Sequence, residues 1–239
     1  IGQGGRLEPP ASVMVHQGSS VHPKRQTRPY GHSINVDPSN TFAYAADLGT
    51  DRIFIYRLDP TTAVLTPAEP AFAAIAPGSG PRHMSFHPNG RVAYVINELA
   101  MTVTVLSRDA ATGALTEVQT IGTLPEGKAI DPTYSTAEVV VHPSGKFLYG
   151  SNRGHDSLVV YAIDEQTGRL TLVQHESTQG SMPRGFGIDP TGRYLLAGNQ
   201  RSDLLVVFRI DPATGRLTST GQTARIGSPV SVVFVPVAR

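Results

Sequence analysis

The feature of this sequence that most constrains its fold is an internal repeat of roughly 50 residues. Each repeat opens with a short turn rich in Pro, Ser, Asn and Gly, and the four turns begin at Asp37, His87, His142 and Asp189. The distances between these starting points are 50, 55 and 47 residues, and the 30 residues after each of them align without a gap. A leucine stands 28 residues after the start of every turn, at Leu65, Leu115, Leu170 and Leu217. Each repeat is therefore expected to form one supersecondary unit.

The pattern inside each repeat predicts β-strands. Runs of β-branched and aromatic residues such as "VAYVI" and "TVTVL" are bounded by Pro, Gly, Asn and Asp, which is typical of strands and turns. Each repeat has four such runs, and the last one opens with Leu-Thr. Four strands in about 50 residues predict one blade of a β-propeller. We therefore predict an all-β propeller in which residues 1–239 form a single domain with four complete four-stranded blades.

The two ends of the chain match only parts of a repeat. Gly5-Arg6-Leu7 matches Gly168-Arg169-Leu170, and "SPVSVVFVPV" near the other end matches a first strand. We therefore expect partial strands at both ends. Because an open ring of blades would expose strand edges, we interpret the chain as a propeller that lacks its N-terminal blades. The missing N-terminal part of the same propeller would then be a partner. An alternative is that the end pieces dock on each other and close a small ring.

Composition narrows the class of protein. With a net charge of +1 and no basic stripe, we expect no nucleic-acid partner. No stretch approaches the roughly 20 apolar residues of a membrane span, so no membrane partner is expected either. The chain has no cysteine, which excludes disulfides and thiolate metal sites. Its histidines lack the spacing of metal ligands, and we predict no metal site.

Hairpin geometry predicts a cleft at one mouth of the propeller. Residues five before a turn and eleven after its start lie at the same end of the first hairpin of a blade. The earlier position holds His32, Arg82, Ala137 and Arg184, and the later one holds Leu48, Glu98, Arg153 and Gln200. Charged residues vary here while the positions between stay apolar, which favours a binding site over a merely solvated rim.

Two connections carry extra residues and are expected at the same mouth, "GSSVHPKRQTRPYG" and "TLPEGKAIDPTYST". Inserted loops on a rigid frame often carry binding groups. The substrate-binding residues that we predict are Lys24, Arg25, Arg184, His155 and Gln200.

Other polar residues are interpreted as structural. His87 and His142 occupy the turn position that holds aspartate in the other repeats, so they are expected to be turn residues. A recurring aspartate, at Asp51, Asp156 and Asp203, is expected to cap a turn or bond between blades. His83 fits a packed strand residue and a site residue equally well.

Several segments resemble the lactonase family of seven-bladed propellers, among them "GPRHMSFHPNGRVAYVINEL" and "HPSGKFLYGSNRGHDSLVVY". That family includes propeller-type 6-phosphogluconolactonases and fungal carboxymuconate cyclases, and the resemblance runs from about residue 18 to residue 239. It implies a ring of seven blades with a site in the central cleft. The cleft residues of the family fall on His32, Arg82, Glu98 and Arg153. Where the family commonly has a second histidine, this chain has Tyr30-Gly31 before His32.

The resemblance implies a metal-independent lactone hydrolase, similar to 6-phosphogluconolactonase, which works without a cofactor in the pentose phosphate pathway of the cytoplasm. Glu98 or His32 is expected to be the base, with a pKa near neutrality in a cationic cleft. Arg82 and Arg153 are expected to hold the oxyanion or an anionic group of the substrate. The alternatives are a carboxymuconate-type lactonizing cycloisomerase and a non-catalytic propeller that binds a ligand or protein.

Overall fold

The computed structural model describes residues 3–235 and contains four antiparallel sheets, each built from four consecutive strands. The first two sheets consist of β1 (Gly31–Val36), β2 (Phe42–Asp47), β3 (Arg52–Leu58), β4 (Leu65–Ala74), β5 (Pro81–Phe86), β6 (Val92–Asn97), β7 (Thr102–Arg108) and β8 (Leu115–Gly122). The other two consist of β9 (Ser135–Val141), β10 (Phe147–Arg153), β11 (Ser157–Ile163), β12 (Leu170–Ser177), β13 (Pro183–Ile188), β14 (Tyr194–Asn199), β15 (Leu204–Ile210) and β16 (Leu217–Arg225). The prediction of four four-stranded propeller blades is confirmed.

The core lies between the blades. Strands β2, β6 and β10 are buried along their whole length, which explains why they read as continuous apolar runs rather than as an alternating pattern. Three large apolar clusters join blade one to blade two, blade two to blade three, and blade three to blade four. The innermost strands β1, β5, β9 and β13 are neighbours in space, so the mouth of the propeller is formed where these strands begin.

Repeated polar contacts also join each blade to the next. The hydroxyls of Tyr44, Tyr94 and Tyr149 donate to the carbonyls of Gly113, Gly168 and Gly215 at 2.9, 3.0 and 2.8 Å. On the Pro-turn side, Nε2 of His87 lies 2.9 Å from the carbonyl oxygen of Gly145, and Nε2 of His142 lies 2.8 Å from that of Gly192. The interpretation of both histidines as turn residues is confirmed.

The recurring aspartates are structural as well. Asp51, Asp156 and Asp203 each have a positive φ between 52° and 55°, a conformation that aspartate tolerates in turns. The Asp51 carboxylate accepts backbone N–H groups of Gly78 and Gly80, which lead into the second blade. Asp156 accepts the N–H of Met182 ahead of β13, and Asp203 accepts the N–H of Ser228 beyond β16.

The prediction of partial strands at the two ends is wrong for the described residues, because residues 6–30 and 226–235 contain no strand. The C-terminal stretch lies along β13, where a Cβ atom added to Gly185 would be 2.5 Å from the carbonyl oxygen of Val230. It packs against this strand without forming a strand of its own in the described residues. The last two residues of "SPVSVVFVPV" lie outside the described residues. No helix among residues 3–235 is long and apolar enough to cross a membrane.

Candidate active site

A β-bulge at the start of the inner strands aims side chains into the mouth. In blades one, two and four the register shifts between residues 31 and 33, 81 and 83, and 183 and 185. The residues left out of the ladder are His32, Arg82 and Arg184. Bulges re-aim side chains and are common beside active sites. Three residues that the repeat register predicted as site residues therefore share one local cause for their orientation.

Glu98 lies at the centre of a cluster of arginines. Its side chain is 5% exposed, and its Oε2 lies 2.9 Å from Nε of Arg82 and 2.9 Å from Nη2 of Arg153. Its Oε1 accepts a hydrogen bond from Nη2 of Arg25. Arg82 belongs to the same blade as Glu98, Arg153 belongs to the next blade, and Arg25 comes from the inserted loop before β1. We call these four residues the Glu98 cluster.

The backbone of β9 fixes two of the arginines. Nη1 of Arg82 donates to the carbonyl of Ala137 at 2.7 Å, and Nη2 of Arg153 donates to that of Thr136 at 2.7 Å. Nε of Arg153 is buried and has no partner among the described residues. Burial, together with the charges of Arg153 and Arg184, lowers the pKa of Arg82 to about 10. Arg184 therefore lies close enough to add its charge, and the mouth is strongly positive.

Neither of the two predicted bases has a pKa near neutrality. Burial alone would raise the pKa of Glu98, but Arg153, Arg25 and Arg82 outweigh it and hold that pKa below its ordinary value. Burial, then the charges of Arg82 and His83, lower the pKa of His32 to about 4. At pH 7 the Glu98 side chain is a carboxylate and His32 is a neutral imidazole. The expectation of neutral-range pKa values is wrong, because the arginines outweigh burial at Glu98, whereas burial and the charge of Arg82 act together against protonation of His32.

A buried glutamine, which sequence reasoning missed, holds the loop that carries Arg25. The Gln26 side chain is fully buried. Its Nε2 donates to the carbonyl of Leu48 at 2.9 Å, and its Oε1 accepts the backbone N–H of His22 at 3.0 Å. A Cβ atom added to Gly49 would lie 1.9 Å from the carbonyl oxygen of Arg28, so the loop packs directly on the blade. A glutamine among basic residues carries no signal of this role in the sequence.

A histidine–carboxylate pair stands beside the Glu98 cluster. Nδ1 of His83 lies 2.8 Å from Oε1 of Glu138, and the ring of His83 meets that of His32 edge to face with centroids 5.3 Å apart. Both residues of the pair come four positions before a turn, on neighbouring inner strands. The sequence analysis did not decide whether His83 is a packed strand residue or a site residue, and it did not single out Glu138. The signal for Glu138 was a carboxylate at an inner-strand position where the first and fourth repeats have Ser33 and Gly185.

Lys24, His155 and Gln200 make no hydrogen bond or ion pair with the Glu98 cluster among the described residues. Lys24 is exposed, and its recorded contact is a backbone bond to His22. His155 bonds to Ser157 and packs against the ring of Tyr134, and Gln200 bonds through its backbone to Met182. The binding roles of Lys24, His155 and Gln200 stay predictions. Among residues 3–235 no group of three or more His, Asp and Glu side chains could hold a metal ion.

Fold and site together define a class of protein: a β-propeller with a buried carboxylate held among arginines at the mouth of its inner strands. Such a mouth attracts anionic ligands. The chain belongs to the family described as "Lactonase, 7-bladed beta-propeller", whose model matches residues 1–234.

Among curated proteins, the chain is similar to enzymes named 6-phosphogluconolactonase. It is 36% identical over 191 residues to that of Bacillus subtilis strain 168, covering 79% of this chain and 52% of the relative. It is 41% identical over 158 residues to that of Pectobacterium carotovorum subsp. carotovorum strain PC1, covering 66% of this chain and 46% of the relative. The chain thus spans about half the length of the curated relatives it matches.

Solved structures agree with the fold. A protein of Bacteroides fragilis NCTC 9343 superposes with a TM-score of 0.91 and 34% identity, covering 99% of this chain and 66% of that one. The periplasmic gluconolactonase of Pseudomonas aeruginosa superposes with a TM-score of 0.87 and 38% identity, covering 95% of this chain and 62% of that one.

Proposed function

We propose that the complete protein is a lactone hydrolase of the 6-phosphogluconolactonase type, which adds water to the lactone carbonyl at the Glu98 cluster. The observation that carries the proposal is a single buried carboxylate surrounded by three arginines at the mouth of the propeller. The names of relatives that share about half their length with this chain support the same activity. A substrate with a negatively charged group fits this excess of positive charge.

The arginines suit the charges of the reaction. Water attack on a lactone carbonyl creates an oxyanion, which fixed donors stabilise best. Arg82 and Arg153 are held by backbone carbonyls, and the buried Nε of Arg153 is a donor without a partner among the described residues. We assign the oxyanion to these two guanidinium groups. We further propose that no metal ion is required, because the arginines supply the positive charge that the carbonyl oxygen needs.

The Glu98 carboxylate neutralises and aligns the arginines. Without it their mutual repulsion would separate the three guanidinium groups, which lie around its two oxygens. Arg25, with its side chain 47% exposed, is the arginine that solvent and substrate reach most easily. We propose that it contacts the phosphate of the substrate, since a guanidinium fork matches a phosphate group.

The test on the complete protein measures acid release from 6-phosphogluconolactone and gluconolactone, and loss of the diene absorbance of a carboxymuconate. We expect hydrolysis of both lactones, with the higher kcat/KM for the phosphorylated one because of its additional charged contacts. Turnover of the muconate alone would replace hydrolysis by the cycloisomerase alternative. Inactivity on every lactone would refute the proposal and favour a binding module.

A further inference from the structure

Neither Glu98 nor His32 provides an effective base for the proposed hydrolysis. Both carboxylate oxygens of Glu98 are bound by arginines, so a water molecule would have to displace one of them to reach a lone pair. Burial, and then the positive charge of Arg82, oppose the protonation of His32. General base catalysis requires a group that binds a proton readily near the working pH.

The pair of His83 and Glu138 has the geometry that these two residues lack. The carboxylate of Glu138 lies 2.8 Å from Nδ1 of His83, and it also accepts the backbone N–H of Val139 at 3.1 Å, which fixes its position. A carboxylate at this position orients the imidazole and stabilises the imidazolium that forms during catalysis. The His83 side chain is 28% exposed, and its Nε2 is neither buried nor bonded within residues 3–235.

The pair adjoins the proposed oxyanion site through Arg82, the residue before His83. The charge of Glu138 acts on Arg82, and the ring of His32 packs against the ring of His83. Two side chains contact the His83 ring, the carboxylate of Glu138 and the imidazole of His32. Of the two, Glu138 is the carboxylate, and it is in direct contact with Nδ1 of His83.

We propose that His83, oriented by Glu138, is the general base of the reaction; this rests on the proposed lactone hydrolysis. Nε2 of His83 takes a proton from water as the water oxygen bonds to the carbonyl carbon. The bond from that carbon to the ring oxygen then breaks, and the imidazolium returns its proton to the departing ring oxygen. One water is consumed, one hydroxy acid is formed, and His83 ends in its starting state.

The experiment compares two histidines of the same hairpin in the complete protein. His83→Gln removes the proposed base, while His87→Gln makes the same change four residues later, in the turn at the opposite end of β5. We expect His83→Gln to lower kcat by about a hundredfold or more with little change in KM, and His87→Gln to keep wild-type turnover. Circular dichroism and melting curves show whether each variant is folded.

Glu138→Gln tests whether His83 acts as a base or only packs in the cleft. It keeps a hydrogen-bonding group beside His83 but removes the charge that stabilises the imidazolium. We expect kcat to fall about tenfold with little change in KM. The double variant His83→Gln/Glu138→Gln should be no slower than His83→Gln alone, because Glu138 acts through His83.

The outcomes distinguish this inference from the proposed function. Turnover of folded His83→Gln within about threefold of wild type, or an equal effect of Glu138→Gln with and without His83, would overturn the role of His83 and leave lactone hydrolysis standing. A wild-type protein inactive on every lactone overturns both.

Discussion

Arg153 and Glu98 form an ion pair across two blades, with Nη2 of the arginine 2.9 Å from Oε2 of the carboxylate. Glu98 follows β6 of the second blade, and Arg153 ends β10 of the third. The site is therefore assembled by the packing of neighbouring blades, and no isolated blade contains it. Substitutions that alter the contact between these blades are expected to affect both stability and the site.

Replacing Glu98 by Gln should destabilise the protein as well as inactivate it. The change leaves three arginines around a neutral amide, and breaking a buried ion pair in this way costs about 3–5 kcal/mol. Chemical denaturation at pH 7 measures the loss in free energy of unfolding. We expect kcat/KM on a lactone to fall by about a hundredfold because the arginines lose their alignment.

The same variant makes a prediction about pH. Because the native pKa of Glu98 is depressed, its ionised form stabilises the fold above pH 4.5, and that contribution disappears as pH falls through the native pKa. The stability difference between wild type and Glu98→Gln should therefore shrink as the solution is acidified below pH 4.5. Glu165→Gln, which removes an exposed glutamate, is the control for the loss of one negative charge.

The lowered pKa of His32 leads to a second prediction about the pH dependence of stability. Its native pKa of about 4 lies below the ordinary value of 6.5, so the unfolded chain takes up a proton at a pH where the folded protein does not. Acidification from pH 6.5 to 4 therefore destabilises the native state through this residue. Wild type should lose more stability than His32→Gln over this interval. A ring-proton NMR titration with a midpoint near 6.5 in the folded protein would contradict the structure.

Gln26 is expected to control the loop that carries Arg25. Gln26→Leu removes both of its bonds, to the Leu48 carbonyl and from the His22 N–H, and each unsatisfied buried group costs about 1–3 kcal/mol. Hydrogen exchange in residues 20–28 should accelerate. Gln17→Leu, at an exposed position of the same segment, should leave exchange unchanged. Equal exchange in both variants would show that Gln26 does not anchor the loop.

The tyrosine hydrogen bonds between blades are expected to contribute to the free energy of unfolding. In Tyr94→Phe the carbonyl of Gly168 loses a 3.0 Å hydrogen bond inside the protein, which should lower the free energy of unfolding by about 1–3 kcal/mol. Tyr134→Phe is the control, because its hydroxyl makes no hydrogen bond within residues 3–235 and its ring packs beside His155. Denaturation curves for the two variants provide the comparison.

The repeat in the sequence was enough to predict the blades and the end of the hairpins where Arg82, Glu98 and Arg153 meet. Register and strand direction are local properties, and they determine which residues share an end of a hairpin. The β-bulges were not predicted, because the extra residue of a bulge leaves no mark in an apolar pattern. They turn His32 and Arg82 out of the ladder and into the cleft.

The electrostatics of the site could not be read from the repeat. The low pKa of Glu98 depends on Arg25 and Arg153, which come from a loop and from another blade. The pairing of His83 with Glu138 likewise joins residues 55 positions apart. Lys24 and Arg25 are neighbours with similar charges, yet only Arg25 is recorded in contact with Glu98 among the described residues. Loop conformation decides this, and the sequence pattern contains no information about it.

Two arginines of the same inserted loop allow a direct test of phosphate binding. Arg25 contacts Glu98, whereas the guanidinium of Arg28 lies 5.0 Å from the ring centroid of Tyr30. We expect Arg25→Ala to raise KM for 6-phosphogluconolactone about tenfold, the loss of about one charge-assisted contact, and to change KM for gluconolactone far less. Arg28→Ala should alter neither value. Steady-state kinetics on both lactones decides the matter, and an equal rise in KM for the two substrates would assign Arg25 to the alignment of Glu98 rather than to the phosphate.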